Sequence, residues 1–265
     1  MSNNENMSFL QHLEELRWRL VKSAVAVVLV ASVIWYFQET IMVNLFLSMK
    51  EKDFITFRLF CKYFGVCVAD IPVKMQSMTV SGQFSYALMM SFMGGLVLAF
   101  PFIFYQLWSF VKPGLKLKEK KMASGLVFYV SLLFFLGILF GYFLVAPLSV
   151  QFFGSYQISN QIENNFTISS YMSMILSTVF YSGLFFLLPI VSYLLAKLEI
   201  IDPEFLKKYR RHAIVVILIL AAVITPPDII SQIIVSIPII GLYEIGILVA
   251  KRAVRQNKAA REIDK

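Results

Sequence analysis

The sequence predicts an all-α membrane protein of six transmembrane helices, with both termini cytoplasmic and the last two helices short. Three observations carry this expectation. No Asp, Glu, Lys or Arg occurs in 75–111, 122–162, 164–196 or 212–227, and a helix needs only about 20 apolar residues to cross a hydrocarbon core of about 30 Å. The chain of 265 residues is 58% hydrophobic with 25 Phe and a mean hydropathy of +0.73, well above a soluble domain. Its basic residues are also unevenly placed: 19 of the 24 Lys and Arg fall on one side of a six-span arrangement, and short basic connections stay cytoplasmic.

The spans are expected at 20–37, 84–108, 124–145, 171–196, 213–225 and 233–250, all within one membrane domain covering 1–265. Before the first, Phe9, Leu10, Leu13, Leu16 and Leu20 recur at spacings of three and four. Residues 1–19 therefore read as an amphipathic segment on the inner membrane surface. Its polar face carries His12, Glu15 and Arg19, residues close enough along a helix to share a side. The start of the chain lacks a basic stretch followed by a cleavable apolar core, as well as the Arg- and Ser-rich bias of a transit peptide.

The first connection is long and outward-facing and holds Cys61 and Cys67. An oxidising compartment permits a bridge, and two free thiols fit the spacing equally. The second connection runs Lys116-Leu117-Lys118-Glu119-Lys120-Lys121, with Glu119 its single acid. Pro101, Pro189 and Pro238 fall within spans, where each removes an amide donor and should kink or loosen its helix. The fifth span reaches only about 20 Å before the turn Thr225-Pro226-Pro227-Asp228. Residues 251–265 form a basic cytoplasmic tail.

Three blocks make the chain recognisable. The segment His12-Leu13-Glu14-Glu15-Leu16-Arg17 resembles the opening of the TatC family, the receptor component of the twin-arginine protein translocase. The stretch from Phe100 through Pro101, Gln106, Phe110 and Pro113 to Leu115, followed by Glu119, resembles that family's second span and cytoplasmic loop. Thr225-Pro226-Pro227-Asp228 with Ser231-Gln232, then Pro238 and Tyr243-Glu244-Ile245-Gly246, resembles its outer hairpin and last span. The blocks stand in the family's order and cover most of the chain.

The resemblance implies a receptor that binds signal peptides carrying two consecutive arginines on folded precursors. Glu15 and Glu119 match the glutamates of the signal-binding patch, with Arg17, Phe110 and Pro101 as accompanying contacts. The chemistry suits the task, since a carboxylate accepts the planar guanidinium fork bidentately whereas lysine offers a point charge. Tyr171, Asp228 and Gln232 match positions tied to function or partner contact on the outer side. By the same resemblance, single-span partners of the TatA and TatB kind complete an oligomeric complex, and the proton-motive force drives export. Many relatives place a glutamate two residues before the proline matching Pro189, where this chain has Leu187. Partner docking along that span then falls to Tyr181, Ser182 or Ser192, or to no polar contact.

Other functions fit poorly. His12 and His212 stand apart without metal-ligand spacing, and neither a phosphate-binding glycine loop nor a Gly-x-Ser-x-Gly motif occurs. The reading is thus of a non-enzyme without metal or cofactor and with no nucleic-acid partner. The alternative is a small-solute or ion secondary transporter, which calls for ionisable residues near the midplane and often for two related halves. Heavy use of Phe, Ile, Lys and Asn hints at an AT-rich genome. The expected location is a bacterial inner membrane, or a thylakoid or mitochondrial inner membrane if the chain is organelle-encoded.

Overall fold

A computed structural model describes residues 9–65, 67, 75–111, 125–159, 165–224 and 229–263, which are overwhelmingly helical. Five helical stretches are long and apolar enough to cross a membrane: Leu10–Tyr36, Gly82–Val111, Leu126–Ser155, Ile168–Lys197 and Gln232–Gln256. The expected fifth span is a helix of 15 residues, Arg210–Ile224, about 22 Å long at 1.5 Å per residue. The contacts of the chain divide it into two compact units, Met1–Val43 with Thr79–Leu132, and Asn44–Met78 with Leu133–Lys265.

In the first unit, α1 (Phe9–Tyr36) is one unbroken helix of 28 residues. The described part of the amphipathic segment expected before the first span forms the first turns of this helix. No Gly or Pro lies between Phe9 and Tyr36, so nothing interrupts the backbone ladder where the polar turns meet the apolar ones.

Helix α1 packs against α3 (Gly82–Val111). The seam follows small residues four apart on α3, Ser91, Gly95 and Ala99, all buried. A Cβ on Gly95 would lie 2.9 Å from both the Val27 carbonyl oxygen and the Ala31 Cβ. Glycine is required there by the approach of one backbone to another, the usual way helices associate where lipid removes the hydrophobic drive. The outward faces remain apolar, with Val28, Leu29 and Val33 on α1 and Leu88, Phe92 and Leu98 on α3 exposed.

The second unit begins in the long first connection, which is structured rather than a plain loop. A π-helical turn, Met42–Phe46, leads through the 3-10 turn Leu47–Lys50 to α2 (Ile55–Phe64). Gly65 ends α2 at φ 70°, and its amide bonds the Cys61 carbonyl at 3.2 Å. This left-handed glycine cap turns the chain back, and Cys61 is disulfide-bonded to Cys67 with a Cα separation of 4.3 Å. Beyond it, β1 (Met75–Gln76) pairs in parallel with β2 (Phe166–Thr167).

Helix α4 (Leu126–Ser155) extends ten residues past the expected end of the third span. A π-helical turn at Gly141–Val145 precedes Pro147, widening the backbone where the proline supplies no amide. The fourth span is broken into α5 (Ile168–Phe185) and α6 (Leu188–Lys197), with Pro189 in the first turn of the second piece. Pro101 and Pro238, by contrast, sit inside continuous helices.

Small residues again allow close contact between α4 and α5, where a Cβ on Gly137 would fall 2.6 Å from the Ser182 carbonyl oxygen. Short α7 (Pro203–Lys208) leads into α8 (Arg210–Ile224), and α9 (Ile229–Ile263) runs through the last span into the tail. One core of this unit gathers Val145, Ile217, Ala221, Val235 and Ile239.

Candidate functional site

The polar residues of α1 and α3 converge at one end of the seam. Glu15, Arg19 and Ser23 stand four apart on α1, and the Ser23 hydroxyl donates to the Arg19 carbonyl at 2.9 Å. The Arg19 guanidinium donates to one oxygen of Glu15, Oε1, through Nε at 2.9 Å and through Nη2 at 2.5 Å. Its remaining nitrogen, Nη1, points to Gln106 Oε1 on α3, at 3.4 Å. Only 22% of the Arg19 side chain and 25% of Glu15 are exposed.

The second Glu15 oxygen, Oε2, is buried without a hydrogen-bond partner among the described residues, as is the Trp108 indole nitrogen on α3. A buried acceptor left without a partner costs about 1–3 kcal/mol, and more when it is charged. Glu15 thus combines an orienting ion pair on one oxygen with an unused acceptor on the other. Beside it, the His12 ring stacks on Phe110 with centroids 4.2 Å apart and planes 14° from parallel. Phe100, Phe104 and Trp108 form a stacked ladder along α3, with centroid separations of 6.2 and 6.3 Å.

The residues expected from the sequence are placed as follows. Glu15 and Phe110 lie at this end of the seam, Arg17 is exposed on α1, and Pro101 lies half-buried farther along α3. Glu119 and Asp228 lie outside the described residues. In the second unit, Tyr171 is 2% exposed and its hydroxyl donates to the Phe46 carbonyl at 2.5 Å. Tyr142 does the same for Leu45 at 2.9 Å, so two tyrosines satisfy consecutive carbonyls of the π-helical turn. The Tyr171 ring also lines an apolar cavity of about 520 Å³ with Phe153, Phe166 and Met174. Gln232 donates from its amide to the Leu218 carbonyl at 3.1 Å and ties α9 to α8.

Of the polar groups weighed along the fourth span, Ser182 is 4% exposed and sits where a Cβ on Gly141 would meet it at 2.8 Å. Ser192 lies against Gly246, and Tyr181 remains 46% exposed. Glu244, the acid within the last span, forms an ion pair with Arg210 at 2.5 Å, and the adjacent Tyr243 hydroxyl donates to the Leu206 carbonyl at 2.8 Å.

Two features of the site escaped sequence reasoning: the part of Gln106 and the stacking of His12 on Phe110. Gln106 gives a signal of its own, because it is a lone amide in the apolar run from Phe100 to Val111 and is 7% exposed. A buried polar group has a partner as a rule, and an amide on one apolar helix implies a polar residue on its neighbour.

A helical membrane protein emerges with a cluster of half-buried polar side chains at one end of a glycine-packed helix pair, and with no group of His, Cys, Asp and Glu able to hold a metal among the described residues. It belongs to the TatC family of Sec-independent protein translocase components, whose family model matches residues 11–238. The Sec-independent protein translocase protein TatC of Blattabacterium sp. subsp. Periplaneta americana is 38% identical over 259 residues, covering 94% of this chain and 97% of the relative. The TatC protein of Helicobacter pylori strain J99 is 35% identical over 240 residues, covering 91% and 87% respectively. Two crystal structures of the twin-arginine translocase receptor TatC share the fold at 30% identity with TM-scores of 0.67 and 0.70. They cover 91% and 90% of this chain and 99% of their own.

Proposed function

We propose that this chain is the signal receptor of a twin-arginine translocase, binding the arginine pair of a folded precursor's signal peptide at the end of the α1–α3 seam. The observation that carries this reading is the divided Glu15 carboxylate, with Oε1 held by Arg19 and Oε2 buried and unpartnered among the described residues. An incoming guanidinium completes the acceptor set of Oε2. The half-buried setting favours its charge-assisted bonds over those of an exposed pair.

Glu119 supplies the acceptor for the second arginine, Arg17 stands at the exposed edge, and Phe110 and Pro101 flank the apolar part of the signal. Tyr171, Asp228 and Gln232 serve the opposite side, where Tyr171 and Gln232 act by holding backbone in place. The chain spans the bacterial inner membrane six times with both termini in the cytoplasm, Arg210–Ile224 being the short fifth crossing. It works in an oligomeric complex with TatA- and TatB-type single-span proteins, driven by the proton-motive force.

Site-specific crosslinking of a twin-arginine precursor in membranes tests the reading. Crosslinks near Glu15 and Glu119 are expected to vanish when the precursor's arginines become lysines, and to weaken in Glu15→Ala and in Glu119→Ala. Unchanged crosslinking and export in the double variant would make both glutamates ordinary surface charges.

A further inference from the structure

Helix α2 presents two apolar faces, and its own unit covers only one. At about 100° per residue, Thr56, Phe57, Phe60 and Cys61 share a side. Thr56 and Phe57 are 5% and 3% exposed; the Thr56 hydroxyl donates to the Phe143 carbonyl, and Phe54, just before the helix, stacks on Phe143 at 6.2 Å. A second stripe, Ile55, Leu59 and Tyr63, follows at spacings of four from the opposite side round towards Thr56, and these residues are 53%, 49% and 71% exposed. Exposed Arg58 and Lys62 run beside them along one edge at the same spacing, with the Lys62 ammonium 5.7 Å from the Tyr63 ring centroid. The acids Glu51 and Asp53 precede the helix, near the terminus whose dipole favours negative charge, which leaves the edge of the helix itself cationic.

The depth of α2 identifies what meets this face. Twenty helical residues span about 30 Å, the thickness of a hydrocarbon core. Counted back from Lys197, they reach Ser177. At that level α4 touches α5, since a Cβ on Gly141 would lie 2.9 Å from the Val179 Cα. Two residues farther on, Phe143 receives α2. With Lys197 taken as one membrane boundary, the helix falls where hydrocarbon gives way to headgroups at the other end of the span.

We propose that α2 is an interfacial helix that docks on an anionic lipid surface. Ile55 and Leu59 enter the acyl boundary, Tyr63 sits among the headgroups, and Arg58 and Lys62 bind lipid phosphates. An apolar stripe with cations along one edge is the pattern such helices use, and aromatic rings with a polar tip collect at this depth. The disulfide from Cys61 within α2 to Cys67 just past it ties the far end of the helix to the chain that follows.

The full chain in vesicles of phosphatidylcholine and phosphatidylglycerol, with Leu59→Trp as the probe, tests this. Emission added over wild type is expected to shift to the blue and to be quenched by lipids brominated in the acyl chain, with little quenching by aqueous iodide. Arg58→Glu with Lys62→Glu in the same background should lower lipid quenching by at least about twofold, since cations at the interface are drawn to an anionic surface. Tyr63→Trp repeats the measurement should Leu59→Trp fail to fold. Quenching by iodide instead of lipid overturns the proposal, as does a probe shielded from both, which would place a second copy of the chain on this face. Lipid quenching indifferent to the charge reversal overturns the phosphate contact.

Discussion

Glu15→Gln changes one atom of the site and removes its charge, which makes it the sharpest probe of the receptor reading. The amide keeps the shape against Arg19 and Gln106. What it loses is the anionic oxygen that an incoming guanidinium needs, in a setting where the carboxylate side chain is 25% exposed. A hydrogen bond to a charged group contributes about 1.5–3 kcal/mol, so affinity for a twin-arginine peptide should fall by about 10- to 150-fold. The exposed quarter of the side chain favours the lower half of that range. The assay is titration of a labelled twin-arginine signal peptide into the full chain in nanodiscs, with a twin-lysine peptide as reference. Glu14→Gln is the control, because Glu14 is adjacent but exposed. Equal losses for Glu14→Gln and Glu15→Gln would refute the reasoning, since the effect would then be net charge and not the buried oxygen.

Three further outcomes follow from the packing. Gly95→Leu drives a side chain into the Val27 carbonyl 2.9 Å away and should destabilise the α1–α3 pair by about 1–3 kcal/mol; a lowered melting temperature with weakened peptide binding is expected, and an unchanged melting curve would count against the seam. Tyr171→Phe leaves the Phe46 carbonyl without the bond it has, at a cost of about 1–3 kcal/mol, and limited proteolysis should then cut within 42–64 faster than in wild type. Arg210→Gln should destabilise more than Glu244→Gln, because Arg210 is 52% exposed against 35% for Glu244 and can be hydrated when alone; thermal unfolding of both and of the double variant measures the coupling, and equal costs would contradict the asymmetry.

The long spans were legible in the sequence because charge-free runs admit almost no other reading, and a spacing of four put Glu15 and Arg19 on one face, where the structure joins them in an ion pair. Boundaries were less legible. The amphipathic opening and the first span differ sharply in composition, yet helix continuity depends on the backbone, and no residue between Phe9 and Tyr36 breaks it. Conversely, Pro101, Pro189 and Pro238 look equivalent in sequence, but only Pro189 separates two helices. The first connection hid most: α2 has apolar residues on both faces, so its periodicity is blurred, and the β1–β2 pair is two residues long per strand. Gln106 could have been paired with a residue on α1 by its isolation, but choosing Arg19 needs the register that Gly95 and Ala31 impose.

That register also bears on the proposed recognition of the signal. The proposed signal site rests on two helices that meet along a small-residue seam, an arrangement that orients the Glu15 carboxylate before any ligand arrives and so lowers the ordering cost of binding. The fourth span is the opposite case. It is interrupted at Phe186 and Leu187, and its buried polar side chains, Thr178 and Ser182, are neutral hydroxyls. An ionisable group at that depth would be costly unless it is used. Here the cost is absent and so is the charge. Leu187 can neither take up nor release a proton, and what the span shows at that point is a break between α5 and α6 with Pro189 in the turn that follows.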